Sequence, residues 1–187
     1  GPGATLEGSG EPSALGLCDF DGDDDLDLFV ATRGGDVRAP TSCLHVLRND
    51  GAGGWTEVTA AVLPAVVDDD WRADAIAFGD VAADVGHTPP DGRPDIVIGT
   101  LDSSVLPPNR SRLRVLANRA GTGGVRVFVD RTAVSMAPVS VEDDWRTSDL
   151  WIGDLDGDGG IPDVVATHDG TGVSESALPP YYVNYVP

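Results

Sequence analysis

The chain has 187 residues, 41% of them hydrophobic, enough for an ordinary domain with a core of its own and too apolar for a chain that stays unfolded. Its 31 acidic and 12 basic residues give a net charge of −19, which excludes nucleic acid as a partner because that needs a basic surface. No apolar stretch approaches the roughly 18 residues of a membrane-spanning helix, and 24 Gly and 14 Pro without a long helical period predict short strands and many turns.

Residues 1–12 are a lead, and Gly1-Pro2-Gly3 has the composition left by cleavage of a tag, so the lack of a signal peptide does not exclude a secretory origin. A first strand over 14–18 runs into Asp19-Phe20-Asp21-Gly22-Asp23-Asp24-Asp25-Leu26-Asp27, with carboxylates at every second position. Anions crowded in this way repel one another and lose hydration if the loop closes, so the loop makes sense around a cation. Its ligands would all be oxygens, several of them charged. That suits Ca²⁺ better than Mg²⁺, which keeps its water, or Zn²⁺, which prefers His and Cys. An EF-hand loop would carry Gly at position six and Glu at position twelve. Here those positions are Asp24 and Val30, the closing carboxylate comes at position nine, Asp27, and a strand follows.

That second strand covers 26–32, a third 44–49 and a fourth 55–59, the last two joined by the turn Asp50-Gly51-Ala52-Gly53-Gly54. Cys18 and Cys43 fall on different strands with another between them, which predicts two free, buried thiols. After Asp69-Asp70-Trp71-Arg72 the series begins again: a strand over 73–79, a loop opening at Asp80, strands over 95–100, 113–118 and 126–130. This second loop keeps its ends, Asp80 and Asp91-Gly92-Arg93-Pro94-Asp95, but an insertion over 85–90 replaces its middle, and Asp84 is the residue expected to swing in as the missing ligand. Asp143-Asp144-Trp145-Arg146 opens a third series: a strand over 148–153, the loop Asp154-Leu155-Asp156-Gly157-Asp158-Gly159-Gly160-Ile161-Pro162-Asp163 with one extra residue, and strands over 163–167 and 181–184.

Loops opening at 19, 80 and 154 divide the chain into units over 13–62, 63–133 and 134–187. Four short antiparallel strands per unit predict an all-β fold of propeller blades, the third incomplete. A propeller has about 4–8 blades, so three leave apolar faces open. They are expected to be covered by a second copy in a closed ring, as a homo-oligomer, or by remaining blades of a longer chain. Trp151 aligns with Gly16 and Ala77 in the first strands, either filling a larger core cavity or packing on a partner.

The segments GDLDGDG…PDVV, FGDV…DGRPDIVIG, LHVLRNDGAGGWTEVT and WRADAIAFGD resemble FG-GAP/VCBS repeats, the blades of integrin-α-like β-propellers and of many secreted bacterial proteins. The resemblance runs from about Ser13 to Asn184. It implies one Ca²⁺ in each intact loop, two to three in all, held by carboxylates at positions one, three, five and nine and a backbone carbonyl at position seven. The first set is then Asp19, Asp21, Asp23 and Asp27 with the carbonyl of Asp25. The second is Asp80, Asp91 and Asp95 with the carbonyl of Arg93, its third position resting on Asp84, and the last is Asp154, Asp156, Asp158 and Asp163 with the carbonyl of Ile161. It further implies a secreted or cell-surface protein serving assembly, adhesion or recognition of a protein or glycan ligand. The alternatives are a lectin-like propeller or an accessory domain of a secreted polysaccharide-active enzyme.

Little else competes with this reading. Trp71 and Trp145 stand nine residues ahead of their loops, a fixed offset that favours a structural role over sugar stacking. His45, His87 and His168 share no metal or catalytic spacing, and no nucleophile elbow, zinc-protease helix or phosphate loop occurs, so no enzyme is expected.

Overall fold

The computed structural model describes residues 11–33, 44–64, 73–82, 91–100, 113–135, 145–157, 159–170 and 181–184. Within them the chain is all-β, built from three antiparallel sheets, none closed on itself. The first sheet runs β1 (Glu11–Cys18), β2 (Asp27–Arg33), β3 (Leu44–Asn49), β4 (Trp55–Glu57). The second repeats this order with β5 (Ala73–Gly79), β6 (Asp95–Thr100), β7 (Leu113–Ala120) and β8 (Arg126–Asp130). In the third, β10 (Asp163–Gly170) lies between β9 (Trp145–Gly153) and β11 (Tyr181–Asn184). Asp84, Asp158, Cys43, Trp71 and His87 lie outside the described residues.

The fourth strand of the first sheet ends earlier than its sequence pattern predicts, and the reason recurs in the second sheet. Thr59 starts a single helical turn, α1 (Thr59–Val62), and its Oγ1 accepts the Val46 amide at 2.9 Å, a bond that β4 would otherwise have to supply. Thr132 at the start of α2 (Thr132–Ser135) does the same for Val115 at 3.1 Å. In both sheets a threonine hydroxyl thus closes the ladder where the chain turns away from its edge.

The second sheet sits between the other two and shares a core with each. Alternation along the strands sends one set of side chains each way. Phe29, Ala31, Leu44 and Val46 of the first sheet meet Ile96, Ile98, Leu116 and Phe128 of the second. On the other side Val97, Val115 and Ala117 meet Val164, Leu150 and Ile152 of the third sheet. Close approach of the sheets depends on two glycines in their first strands. A methyl group on Gly16 would collide with the ring of Phe78, and one on Gly79 with the side chain of Ile152.

The repeat extends to the outer face of the first sheet. By strand register, Leu15, Leu17, Leu28, Val30, Leu47 and Trp55 occupy the places that Ile76, Phe78, Ile96, Ile98, Leu116 and Phe128 take in the second sheet, where they pack against the first. Leu15, Leu17 and Trp55 are 68%, 57% and 42% exposed while Val30 and Leu47 are buried, so the first sheet carries a partly exposed packing face with no sheet set against it among the described residues. At the opposite end Trp151 is half exposed and its indole lies over Gly153. The expectation that it fills a core cavity is therefore corrected: Trp151 points away from the second sheet, because its neighbours Leu150 and Ile152 take the inward positions.

Candidate metal centre

Each sheet places an acidic loop between its first and second strands, and all three loops are held by the same backbone bonds. In the first loop Asp19 caps the turn: Oδ1 accepts the Gly22 amide at 2.7 Å and the Asp23 amide at 3.2 Å, and Oδ2 accepts the Asp24 amide at 3.1 Å. At the loop's end Asp27 is fully buried, with Oδ2 accepting the Phe20 amide at 3.3 Å and Oδ1 the Asn49 amide at 2.9 Å. The third loop repeats the cap, Gly157 to Asp154 Oδ1 at 2.6 Å and Gly159 to Asp154 Oδ2 at 3.1 Å, and the closing bond, Leu155 to Asp163 Oδ2 at 2.8 Å. The second loop keeps the Gly92 amide on Asp80 Oδ2, and Asp95 accepts Val81 at 2.9 Å, Ala82 at 2.7 Å and Asn118 at 2.8 Å. The residues answering to one another, Asp24, Gly92 and Gly159, all have a left-handed backbone, with φ of 71°, 78° and 69°.

This framework brings together three of the expected ligands in the first loop and three in the third. One carboxylate oxygen from each of Asp19, Asp21 and Asp27 lies within 4.8 Å of the others, and the same holds for Asp154, Asp156 and Asp163. The residues fit a cation on an observation independent of that spacing: Asp21 Oδ1 is buried and makes no hydrogen bond. An anionic oxygen left in that state costs about 1–3 kcal/mol or more unless something positive meets it. Burial first, then the neighbouring Asp23, pushes the Asp21 carboxyl above its usual range against the pull of Arg48, and burial does the same to Asp27 against the pull of the Asn49 and Phe20 amides. Both shifts report a charge short of compensation.

Among the described residues these two clusters do not include the other expected carboxylates. Asp23 spends Oδ1 on the Asp25 amide at 3.0 Å, and the Asp25 side chain lies against Gly51 in the β3–β4 turn. Ile161 is a half-buried loop residue two positions before Asp163. In the second loop Asp80, Asp91 and Asp95 form no cluster of the kind seen in the other two among the described residues. Asp91 instead pairs with Arg93 at 3.0 Å and Arg119 at 3.1 Å.

Two asparagines that sequence patterns did not single out anchor the loops. Asn49 and Asn118 end the equivalent runs of β3 and β7, and each amide holds the last aspartate of its own loop. Fully buried Asn118 also donates its Nδ2 to the Phe20 carbonyl at 2.8 Å, so the second sheet grips the first loop. Their signal in the sequence is the shared run Val-Leu-x-Asn before each Gly-rich turn.

Two further groups respond to this anionic surrounding. Cys18 ends β1 as a free, buried thiol, pushed up to about 12 by burial and then by Asp27, Asp19 and Asp95. Burial also pushes the Asp95 carboxyl up to about 6 from 3.8, although three amides pull the other way. Since the folded value lies above the unfolded one, the contribution of Asp95 to stability is fully present below pH 3.8 and lost as pH rises through 6. Raising the pH from 4 to 7 in metal-free buffer is expected to remove about 2 kcal/mol through this group. Carboxyl NMR titration should place the Asp95 midpoint near 6, and the pH slope should shrink in Asp95→Asn. A midpoint below 4 rules the effect out.

Fold and loops together define an all-β protein of repeated antiparallel sheets with two acidic clusters that can hold a metal ion. No protein-family model matches the chain, and no curated protein matches it.

Proposed function

We propose that this chain is a calcium-binding module of the FG-GAP/VCBS type, a segment of β-propeller whose metal loops hold each sheet in shape while its faces serve assembly and recognition. The observation that carries the reading is the recurrence of one hydrogen-bonding pattern around Asp19 and Asp154, with three carboxylates converging in each loop. Calcium suits these sites because the clustered donors are all oxygens, and it tolerates the 6–8 ligands that backbone carbonyls and water would complete. Its role is structural: it neutralises the loop and ties the first strand of a sheet to the second. Extracellular calcium modules bind at roughly 10⁻⁴–10⁻³ M, so the reading places the protein outside the cell or on its surface.

The repeated face of the first sheet supports the assembly half of the proposal. Six apolar positions that pack between sheets in the second unit recur there, with Leu15 and Leu17 exposed. The partner is a sheet of the same kind, from a second copy of this chain or from further units of a longer one. Function is non-catalytic in this reading.

Calorimetric titration of the metal-free protein with CaCl₂ tests it. The expected result is two ions per chain, with Asp19→Asn and Asp154→Asn each removing one. Solution mass measured on the same samples reads the partner: a single-chain mass with calcium bound excludes the homo-oligomer. Absence of any heat of binding at millimolar calcium excludes the metal.

A further inference from the structure

We propose that the second loop takes no calcium and is closed by a cation of its own, the guanidinium of Arg119; the proposal rests on reading the first and third loops as calcium sites. Register makes the comparison position by position. Asn118-Arg119 of β7 answers to Asn49-Asp50 of the first sheet, since Asn49 and Asn118 make the same bond to the last aspartate of their loops. At the next position, then, the first unit has an acid and the second a base.

The Asp50 carboxylate turns into its own hairpin, where Oδ1 accepts the amides of Ala52 at 2.9 Å and Gly54 at 2.7 Å. Arg119 turns into the loop. One arm, Nη1, donates to Asp91 Oδ2 at 3.1 Å, and the other, Nη2, donates to the Ala82 carbonyl at 3.2 Å. Asp91 answers to Asp23, position five of the first loop, because its Oδ1 accepts the amide two residues on in both. Ala82 answers to Asp21, position three. A single side chain therefore joins the two loop positions that an ion would join, and its planar fork gives it a fixed geometry there.

The charges follow the same logic. Position three has lost its carboxylate, and the Ala82 carbonyl that remains accepts from Arg119. Asp91 receives a second cation from Arg93 at 3.0 Å. Arg126 adds a third positive side chain beside the loop, its Nε donating to Asn118 Oδ1 at 2.9 Å. The first loop instead sets Asp25 and Asp50 where the second has Arg93 and Arg119. A divalent ion entering the second loop would have to displace a half-buried ion pair and would face three guanidinium groups.

Two measurements test this on the whole protein. The first is calcium stoichiometry, with CaCl₂ as the probe. Asp80→Asn is expected to bind two ions, as wild type does, whereas three ions in wild type, or a lower count in Asp80→Asn than in wild type, overturns the proposal. A count of zero in wild type is the failure of the calcium reading itself and leaves the second measurement to decide. That is the melting temperature of Arg119→Gln in metal-free buffer, expected to fall by roughly 5 °C, with Arg119→Lys between it and wild type because a point charge replaces half the fork. The same loss should appear with calcium present. A melt of Arg119→Gln equal to wild type, or a loss that calcium restores, overturns the clamp.

Discussion

In excess chelator the protein is expected to melt about 10 °C lower than in about 2 mM Ca²⁺. The size follows from linkage: a site that binds at roughly 10⁻⁴ M is stabilised by about 1.8 kcal/mol at that concentration, so two sites contribute about 3.6 kcal/mol. For a domain of this length each kcal/mol moves the transition by about 2–4 °C. The loss has a physical source in the loops. With no ion, Asp19, Asp21 and Asp27 hold three carboxylates whose oxygens approach within 4.8 Å, and Asp21 Oδ1 has no hydrogen bond to offset its burial. Asp19→Asn and Asp154→Asn should each abolish about half of the calcium-dependent shift, since each removes the side chain that caps one loop. The second loop should add nothing, its charge being met by Arg119 whether calcium is present or not. Scanning calorimetry of the three proteins with and without chelator checks this, and equal melts in both buffers would remove the structural role assigned to the metal.

Much of this architecture is legible in the residues. The alternation of Leu28-Phe29-Val30-Ala31 and its echoes gave strand positions to within a few residues, because period-two burial and turn chemistry act locally. The two acidic clusters were legible for the same reason: Asp19 and Asp27 bond to amides within their own loop, so spacing encodes much of the geometry. What was not legible depends on contacts between units. Nothing local in the segment around Arg119 says that its guanidinium reaches Ala82, 37 residues away, rather than solvent. The same holds for the bond from Asn118 to Phe20 across 98 residues. Comparing Asn49-Asp50 with Asn118-Arg119 position by position exposes the reversal of charge, but only once strand register has fixed which residues correspond. Trp151 was ambiguous because an indole suits a core and a surface equally. The inward positions of Leu150 and Ile152 decide it, and those are a property of how the third sheet meets Gly79.

Phe29→Ala should destabilise the protein by about 3–5 kcal/mol, the range for deleting a large aromatic from a packed interior. Phe29 is fully buried on β2, and its ring is the hub of the core between the first two sheets, with centroids 5.8 Å from Phe20, 4.9 Å from Phe78 and 6.0 Å from Phe128. Those three rings belong to different parts of the fold: Phe20 to the first loop, Phe78 to the strand that packs over Gly16, and Phe128 to β8. The cavity therefore cannot be closed by moving one element, because a shift of any ring pulls on a sheet or a loop with bonds of its own. Urea unfolding should show the midpoint falling with little change in slope, as expected when native packing is lost and the unfolded chain is unaltered. Calcium affinity of the first loop should weaken too, since Phe20 loses its edge-on partner while its amide and carbonyl still hold Asp27 and Asn118. The comparison is Val129→Ala, partly exposed on β8, which should change stability by less than about 1 kcal/mol. Equal effects of the two substitutions would mean that the first and second sheets do not share this core, and the stacking on which the assembly proposal depends would fall with it.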